Sequence, residues 1–291
     1  TPRTQRVDCL AIRSVVPQGV RVPEGFCVTA DAYYYFLNQT SLDVFIAKTL
    51  DGLDTKNFNE LSRCGKLVRD AIRSATLPAD LEEDITEAYA LMEKEYGKNI
   101  DVAVRSSATA EDLPGASFAG EHETYLGIRG AHDVSAAVVS AMASLFTDRA
   151  ISYRADKGFA HTKVALSVGV QKMVRSDTGA SGVMFTVDTE SGFKDIVLIN
   201  ATWGLGELIV QGHVTPDEYL VMKSKIGNAK SPIIGKTLGV KNKKMQYARH
   251  KRGVIRTMTV KTSQKEQSSF VLNEKEIVEL ASWGALIEKH Y

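Results

Sequence analysis

Amphipathic helical spacing governs residues 29–96 and ends at Gly97, after which apolar residues recur in short extended runs. That change of period restricts the possible folds more than any other feature. Leu61, Cys64, Val68, Ala71 and Ile72 repeat at helical intervals, as do Leu81, Ile85, Ala88, Tyr89 and Met92, so each set forms one apolar helix face. Thr29 is placed to cap a helix over 30–37, and Asp80 with Glu83 reads as a capping box. The acidic residues of that last helix read as a solvated face. Beyond Gly97, extended runs at 101–105, 121–128, 163–174, 181–187 and 195–202 alternate with Ser-, Gly- and Asp-rich turns. A long helix is expected from Val134 through Phe146 towards a stop at Gly158, and Asn273 with Glu276 caps a final helix. Helices followed by mixed strands predict an α+β fold, with mixed or antiparallel sheets and flanking helices, rather than a doubly wound sheet.

At 291 residues with 44% hydrophobic and 24% charged content, the chain has enough apolar material for one large domain or two modest ones. No apolar run approaches the ~20 residues of a membrane helix. Cys9, Cys27 and Cys64 form no CxxC pair, which argues against a disulfide scaffold or zinc site and points to a reducing cytoplasm. Charge is uneven. Lys223 to Lys265 holds 13 of the 36 basic residues and no Asp or Glu, which leaves the rest of the chain acidic. The stretch reads either as solvated strands or as a field for a polyanion or an acidic partner domain. No aromatic platform accompanies the lysines, so nucleic acid is not the expected partner.

Three segments carry candidate chemistry. The strand Val102-Ala103-Val104-Arg105 enters a loop of small, hydroxylic residues that runs through Gly115 to Gly120. Arg at a strand end holds two phosphate oxygens at once, and glycines let backbone N–H groups approach a phosphate chain. The same composition suits an ordinary surface loop, and the segment is neither a Walker A nor a Rossmann sequence. In the run 163–174, Val164, Leu166, Val168 and Val170 alternate with Ala165, Ser167, Gly169, Gln171 and Met173. One face is core. The other is cleared, as a flat ligand would need, with Gln171 able to read an adenine edge; on spacing alone, a covering helix explains the small residues better. Third, Trp203-Gly204-Leu205-Gly206-Glu207 follows a strand, so Glu207 is placed to face a ribose or a metal. The six histidines show no metal-ligand spacing, so no metal residues are assigned, and Ser106 and Ser107 lack the turn of a hydrolase nucleophile.

Taken together, the motifs 104–112, 117–120, 144–154, 169–177, 181–185, 203–207 and 215–219 resemble those of the phosphoenolpyruvate synthases (pyruvate, water dikinases) in sequence and order. The resemblance runs from about Gly19 to Tyr291 and extends more distantly to pyruvate phosphate dikinases and rifampin phosphotransferases. It implies an ATP-grasp nucleotide-binding domain that takes ATP and Mg²⁺, with lobes at 1–195 and 196–291. In that family the β,γ-phosphates pass to a histidine on a separate domain and then to pyruvate on a third. Carried over, Arg105 is the γ-phosphate and catalytic ligand, Gly120 a backbone contact and Thr124 a neighbour of the nucleotide. Gln171 and Met173 lie at the adenine, with Glu207 near the site. The family's leading Gly-Gly-Lys is replaced by Thr1-Pro2-Arg3-Thr4, and no Lys precedes Lys48. The phosphohistidine and pyruvate-binding domains lie outside this chain, which is therefore expected to be an N-terminal piece that does not turn over alone. A catalytically inactive nucleotide-binding or scaffold module is the alternative.

Overall fold

The computed structural model describes residues 7–8, 20–108, 124–228, 231–249 and 255–290. Two compact units divide the chain, one containing Val22–Met173 and the other Val174–Tyr291. The division precedes the 195/196 boundary read from sequence, because the strand Ala180–Phe185 pairs with Ile196–Trp203 and belongs to the second sheet. Both units combine antiparallel sheets with helices, the α+β arrangement expected from the change of period.

The first unit holds a five-stranded sheet in the order β1 (Val7–Asp8), β2 (Gly25–Val28), β5 (Leu166–Lys172), β3 (Val102–Ala108), β4 (Thr124–Ile128), every neighbour antiparallel. Its helices among the described residues are α1 (Ala30–Gln39), α2 (Leu42–Leu50), α3 (Phe58–Ser74), α4 (Ala79–Tyr96), α5 (Ala131–Ser144) and α6 (Asp148–Asp156). Thr29 caps α1 by accepting from the Ala32 N–H at 3.3 Å. The capping box at Asp80 does not form. Pro78 occupies the cap position of α4, and the Asp80 carboxylate accepts instead from the Tyr35 hydroxyl at 2.9 Å. The apolar faces of α1 to α5 meet Val102, Val104, Val168 and Val170 in one buried core.

The long helix expected from Val134 towards Gly158 is two helices, α5 and α6. Leu145 and Phe146 turn into the core, and the Thr147 hydroxyl accepts from the Ala150 N–H at 3.2 Å to start α6 afresh. The carbonyls released at the break are satisfied by guanidinium groups. Arg154 Nη1 donates to the Leu145 oxygen and Arg69 Nη1 to the Phe146 oxygen, each at 2.6 Å. Arg154 is fully buried, stacks 5.2 Å from the Phe146 ring centre, and donates through Nε to His161 Nδ1 at 3.2 Å. Burial draws its guanidinium down to about 10, while burial and the Arg154 charge draw His161 down to about 4.

In the second unit β6 (Ala180–Phe185), β7 (Ile196–Trp203), β8 (Asp217–Met222) and β9 (Ile233–Thr237) form an antiparallel meander. Residues of β10 (Lys243–Arg249) and β11 (Ile255–Lys261) make a separate hairpin. Helix α7 (Glu207–Val210) and helix α8 (Gln264–Gln267) are single turns. Helix α9 (Glu274–His290) lays Ile277 and Ala281 on Val197, Ile199, Tyr219 and Val221. As expected, Asn273 and Glu276 cap it reciprocally, at 2.9 and 3.0 Å.

Asp217 and Lys241 form a fully buried ion pair. The Asp217 carboxylate also accepts from the Gly239 N–H at 2.8 Å, the Val271 N–H at 2.7 Å and the Tyr219 hydroxyl at 3.1 Å. Lys241 donates to the Gly239 carbonyl at 2.8 Å and sits at φ +43°, a strained position for a side-chain-bearing residue.

Replacing Asp217 by Asn strands a buried ammonium, and urea denaturation should register a loss of about 3–5 kcal/mol. His161 supplies a pH signature. Its folded-state pKa lies below the free value of 6.5, so between about pH 6.5 and 4 the unfolded chain binds a proton that the folded chain refuses. Stability from this residue is complete above pH 6.5 and declines as pH falls towards 4. A pH series of thermal midpoints should show that decline in wild type and a shallower one in His161→Gln.

Candidate functional site

Strand pairing assembles one face of the first unit's sheet from residues far apart in sequence. Cys27 on β2 lies opposite Gly169 on β5, Gly169 opposite Arg105 on β3, and Arg105 opposite Thr124 on β4. Gln171, two residues along β5, lies opposite Gly25 and Ala103. Side chains alternate across a strand, so these residues share the face opposite Val104, Val168 and Val170. Ser107 and Ser167 continue it, with the Ser167 hydroxyl donating to the Ser107 carbonyl at 3.3 Å.

The two sides differ, although Ala103, on the same face as Arg105, is itself buried. Val104, Val168 and Val170 are wholly buried, whereas Arg105 and Thr124 are exposed and Gly169 and Gln171 half-buried. No ion-pair or hydrogen-bond partner of the Arg105 guanidinium is found among the described residues. An exposed Arg whose five donors meet no acceptor among the described residues, beside a glycine and an amide on one sheet face, suits a planar or phosphate-bearing ligand. Lys172, the one polar residue at the core-facing positions of β5, ends the strand with its ammonium 3.9 Å from the Tyr96 ring centre, which reconciles a charge with that side of the sheet.

Three of the candidate residues therefore converge: Arg105, Thr124 and Gln171. Met173 lies past the end of β5, buried, with its N–H donating to the Asp101 carbonyl at 3.0 Å. Gly120 lies outside the described residues. Glu207 belongs to the second unit, where it opens α7 and accepts from the Gln211 amide at 3.0 Å. Sequence reading did not place Gly25 and Cys27 on this face. The alternation Gly25, Cys27 along β2 was the available signal, but the strand is short and its partner lies more than a hundred residues away.

In Trp203-Gly204-Leu205-Gly206-Glu207 it is Gly204 that brings backbone close to backbone. Gly204 has φ +83°, and a Cβ there would sit 2.3 Å from the Met245 carbonyl of β10. Leu205 N–H donates to that same carbonyl at 2.9 Å, and Ser181 Oγ donates to the Gly204 carbonyl at 2.7 Å. Trp203 donates its indole N–H to the Glu266 carbonyl at 3.0 Å. This motif anchors the β10–β11 hairpin.

The acid-free stretch is partly neutralised within its own unit. Lys223 pairs with Glu288 at 2.6 Å, Lys236 with Glu274 at 3.4 Å, Lys244 with Glu266 at 2.5 Å, and Lys241 with Asp217. Lys244 and the Ser263 N–H hold the Glu266 carboxyl down at about 2. Four of the stretch's lysines are thus fastened to acids that precede or follow it in sequence.

Among the described residues no group of three carboxylates, imidazoles or thiols is placed to hold a metal ion. No single described helix is long and apolar enough to cross a membrane. The bent pair α5–α6 has the composition, but α5 is a core helix.

Residues 10–291 match the family model described as pyruvate phosphate dikinase, AMP/ATP-binding domain. The chain is 55% identical over 281 residues to the phosphoenolpyruvate synthase of Aquifex aeolicus, which covers 96% of this chain and 32% of that protein. Identity is 49% to the Helicobacter pylori phosphoenolpyruvate synthase and 44% to that of Escherichia coli, covering 34% and 35% of those proteins and 96% of this chain. The chain spans about a third of the length of these relatives.

Gly204→Ala should cost about 2–3 kcal/mol in urea denaturation, because both φ and the Met245 carbonyl oppose a Cβ. Gly206→Ala is the control. An added Cβ there meets only Ser181, at 3.5 Å, and should change stability by no more than about 0.5 kcal/mol.

Proposed function

The chain belongs to the pyruvate phosphate dikinase AMP/ATP-binding domain family, and from that premise we propose that the open face of its five-stranded sheet is where ATP binds. The supporting observation is the convergence of Arg105, Thr124 and Gln171, with the Arg105 guanidinium free among the described residues. In this reading Arg105 grips the terminal phosphates, Gly120 is a backbone contact to them, and Gln171 reads the adenine edge through its amide. Met173 and Glu207 are assigned to nucleotide binding on the strength of their motifs alone.

The domain is of the ATP-grasp type and serves a cytoplasmic phosphoenolpyruvate synthase, a phosphotransferase in which β,γ-phosphates of ATP go to a histidine of another domain on the way to pyruvate. In phosphoryl transfer of this kind the protein's contribution is to position phosphates and to stabilise developing charge. Arg105 suits both tasks, since its fork matches two oxygens and no carboxylate among the described residues takes up its charge. No residue of this chain is assigned to the Mg²⁺ that accompanies ATP in the proposed reaction, and no step is routed through it.

Calorimetric titration with MgATP tests the reading. Wild type should bind, and Arg105→Ala should lose about 1.5–3 kcal/mol of affinity, the worth of charge-assisted hydrogen bonds, with unchanged circular dichroism. Equal affinity in both proteins would remove Arg105 from the site. Incubated alone with labelled ATP, the chain should yield neither AMP nor acid-labile phosphoprotein, because none of its histidines lies in the family's acceptor motif.

A further inference from the structure

Glycine inside a β-strand weakens it, since it offers no side chain to pack and loses the most backbone freedom on folding. Five glycines lie within described strands: Gly25, Gly127, Gly169, Gly182 and Gly235. For four of them the protein's own geometry supplies the reason. A Cβ on Gly25 would sit 2.1 Å from the Val170 carbonyl, and one on Gly182 would sit 2.2 Å from the Asn200 carbonyl. Gly127 has φ +69°, and a Cβ on Gly235 would press on Leu220 at 3.3 Å.

Gly169 is different. Its φ lies outside the left-handed region, and among the described residues a Cβ built on it meets only the Arg105 carbonyl, at an undemanding 3.9 Å. The strand would accept a side chain here and would gain from one. The position faces the open side of the sheet, in the row that runs Cys27, Gly169, Arg105, Thr124, and two residues from Gln171.

Resting on the nucleotide reading above, we propose that Gly169 is a clearance residue. Its missing side chain leaves the space in which the ribose–phosphate chain of the nucleotide crosses the sheet between Gln171 and Arg105. A base read at Gln171 and a terminal phosphate held at Arg105 must be joined by atoms that cross between Gly169 and Ala103, and of these two only Gly169 lacks a Cβ. Any Cβ on Gly169 lifts those atoms off the sheet and separates the two contacts. Gly169 thus selects for a ligand that reaches both ends and lies flat.

The test separates folding from binding. Gly169→Ala and Gly169→Val are compared with wild type by thermal unfolding and by calorimetric titration with MgATP, with Arg105→Ala alongside. The expected result is a thermal midpoint at or above wild type in both variants, a tenfold or greater loss of affinity in Gly169→Ala, and a larger loss in Gly169→Val. Variants that bind as wild type does, while Arg105→Ala does not, would overturn the clearance role and leave the nucleotide reading standing. A midpoint that falls together with affinity would also overturn it, since the glycine would then be serving the fold. Failure of wild type itself to bind MgATP would instead strike the reading on which the inference rests.

Discussion

The register of β3 against β5 governs what the first unit can do. Val104 stands opposite Val170, and Ser106 opposite Val168. Burying Val102, Val104, Val168 and Val170 beneath the helices turns Arg105, Gly169 and Gln171 outward, because successive side chains leave a strand on opposite faces. A slip of one residue would drive a guanidinium and an amide into the core and expose the valines. Each buried valine is worth ~1.5–3 kcal/mol, so the apolar side of the sheet enforces the order of the polar side. The candidate nucleotide face is positioned by residues that never touch it.

Buried charge does the corresponding work elsewhere, and in two ways. Arg154 has no carboxylate partner among the described residues. It instead takes up the carbonyl left open where α5 stops, with the Phe146 ring and the His161 nitrogen as its other neighbours. Asp217 is the hub of the second unit. It joins β8 to Gly239, Lys241 and Val271 through one carboxylate, and burial pushes the neighbouring Tyr219 phenol well above its ordinary range. Pairs of this kind add little to net stability but penalise every arrangement in which one partner is left alone.

The contrast between Arg105 and the lysines of the acid-free stretch bears on function. Four lysines that looked like a surface field when read along the chain are bound to carboxylates of their own unit, one of them wholly buried. Arg105 belongs to no such pair among the described residues and stays exposed. A free guanidinium on a rigid strand is preorganised for an anion from outside, whereas a lysine already paired has little left to offer a partner.

Local chemistry made much of this legible without coordinates. The Thr29 and Asn273 caps, the helix faces between residues 58 and 92, and the two-sided character of β5 all follow from interactions within a turn or two, or from side-chain alternation, and the structure has each of them. The resemblance of the Arg105 loop and the later motifs pointed to the family as well. Other features depended on contacts between distant residues, where local signals are silent or misleading. Asp80 turned to Tyr35 instead of capping its helix, and the long helix broke at 145–147 because Leu145 and Phe146 are worth more in the core than in line. Gly204 meets a carbonyl 41 residues on, and Lys241 finds Asp217 across a turn that no period announces. Spacing along the chain determined which residues share a face of one element. Which faces meet, and so which charge is buried, which is paired and which stays free for a ligand, was set only when the strands came into register.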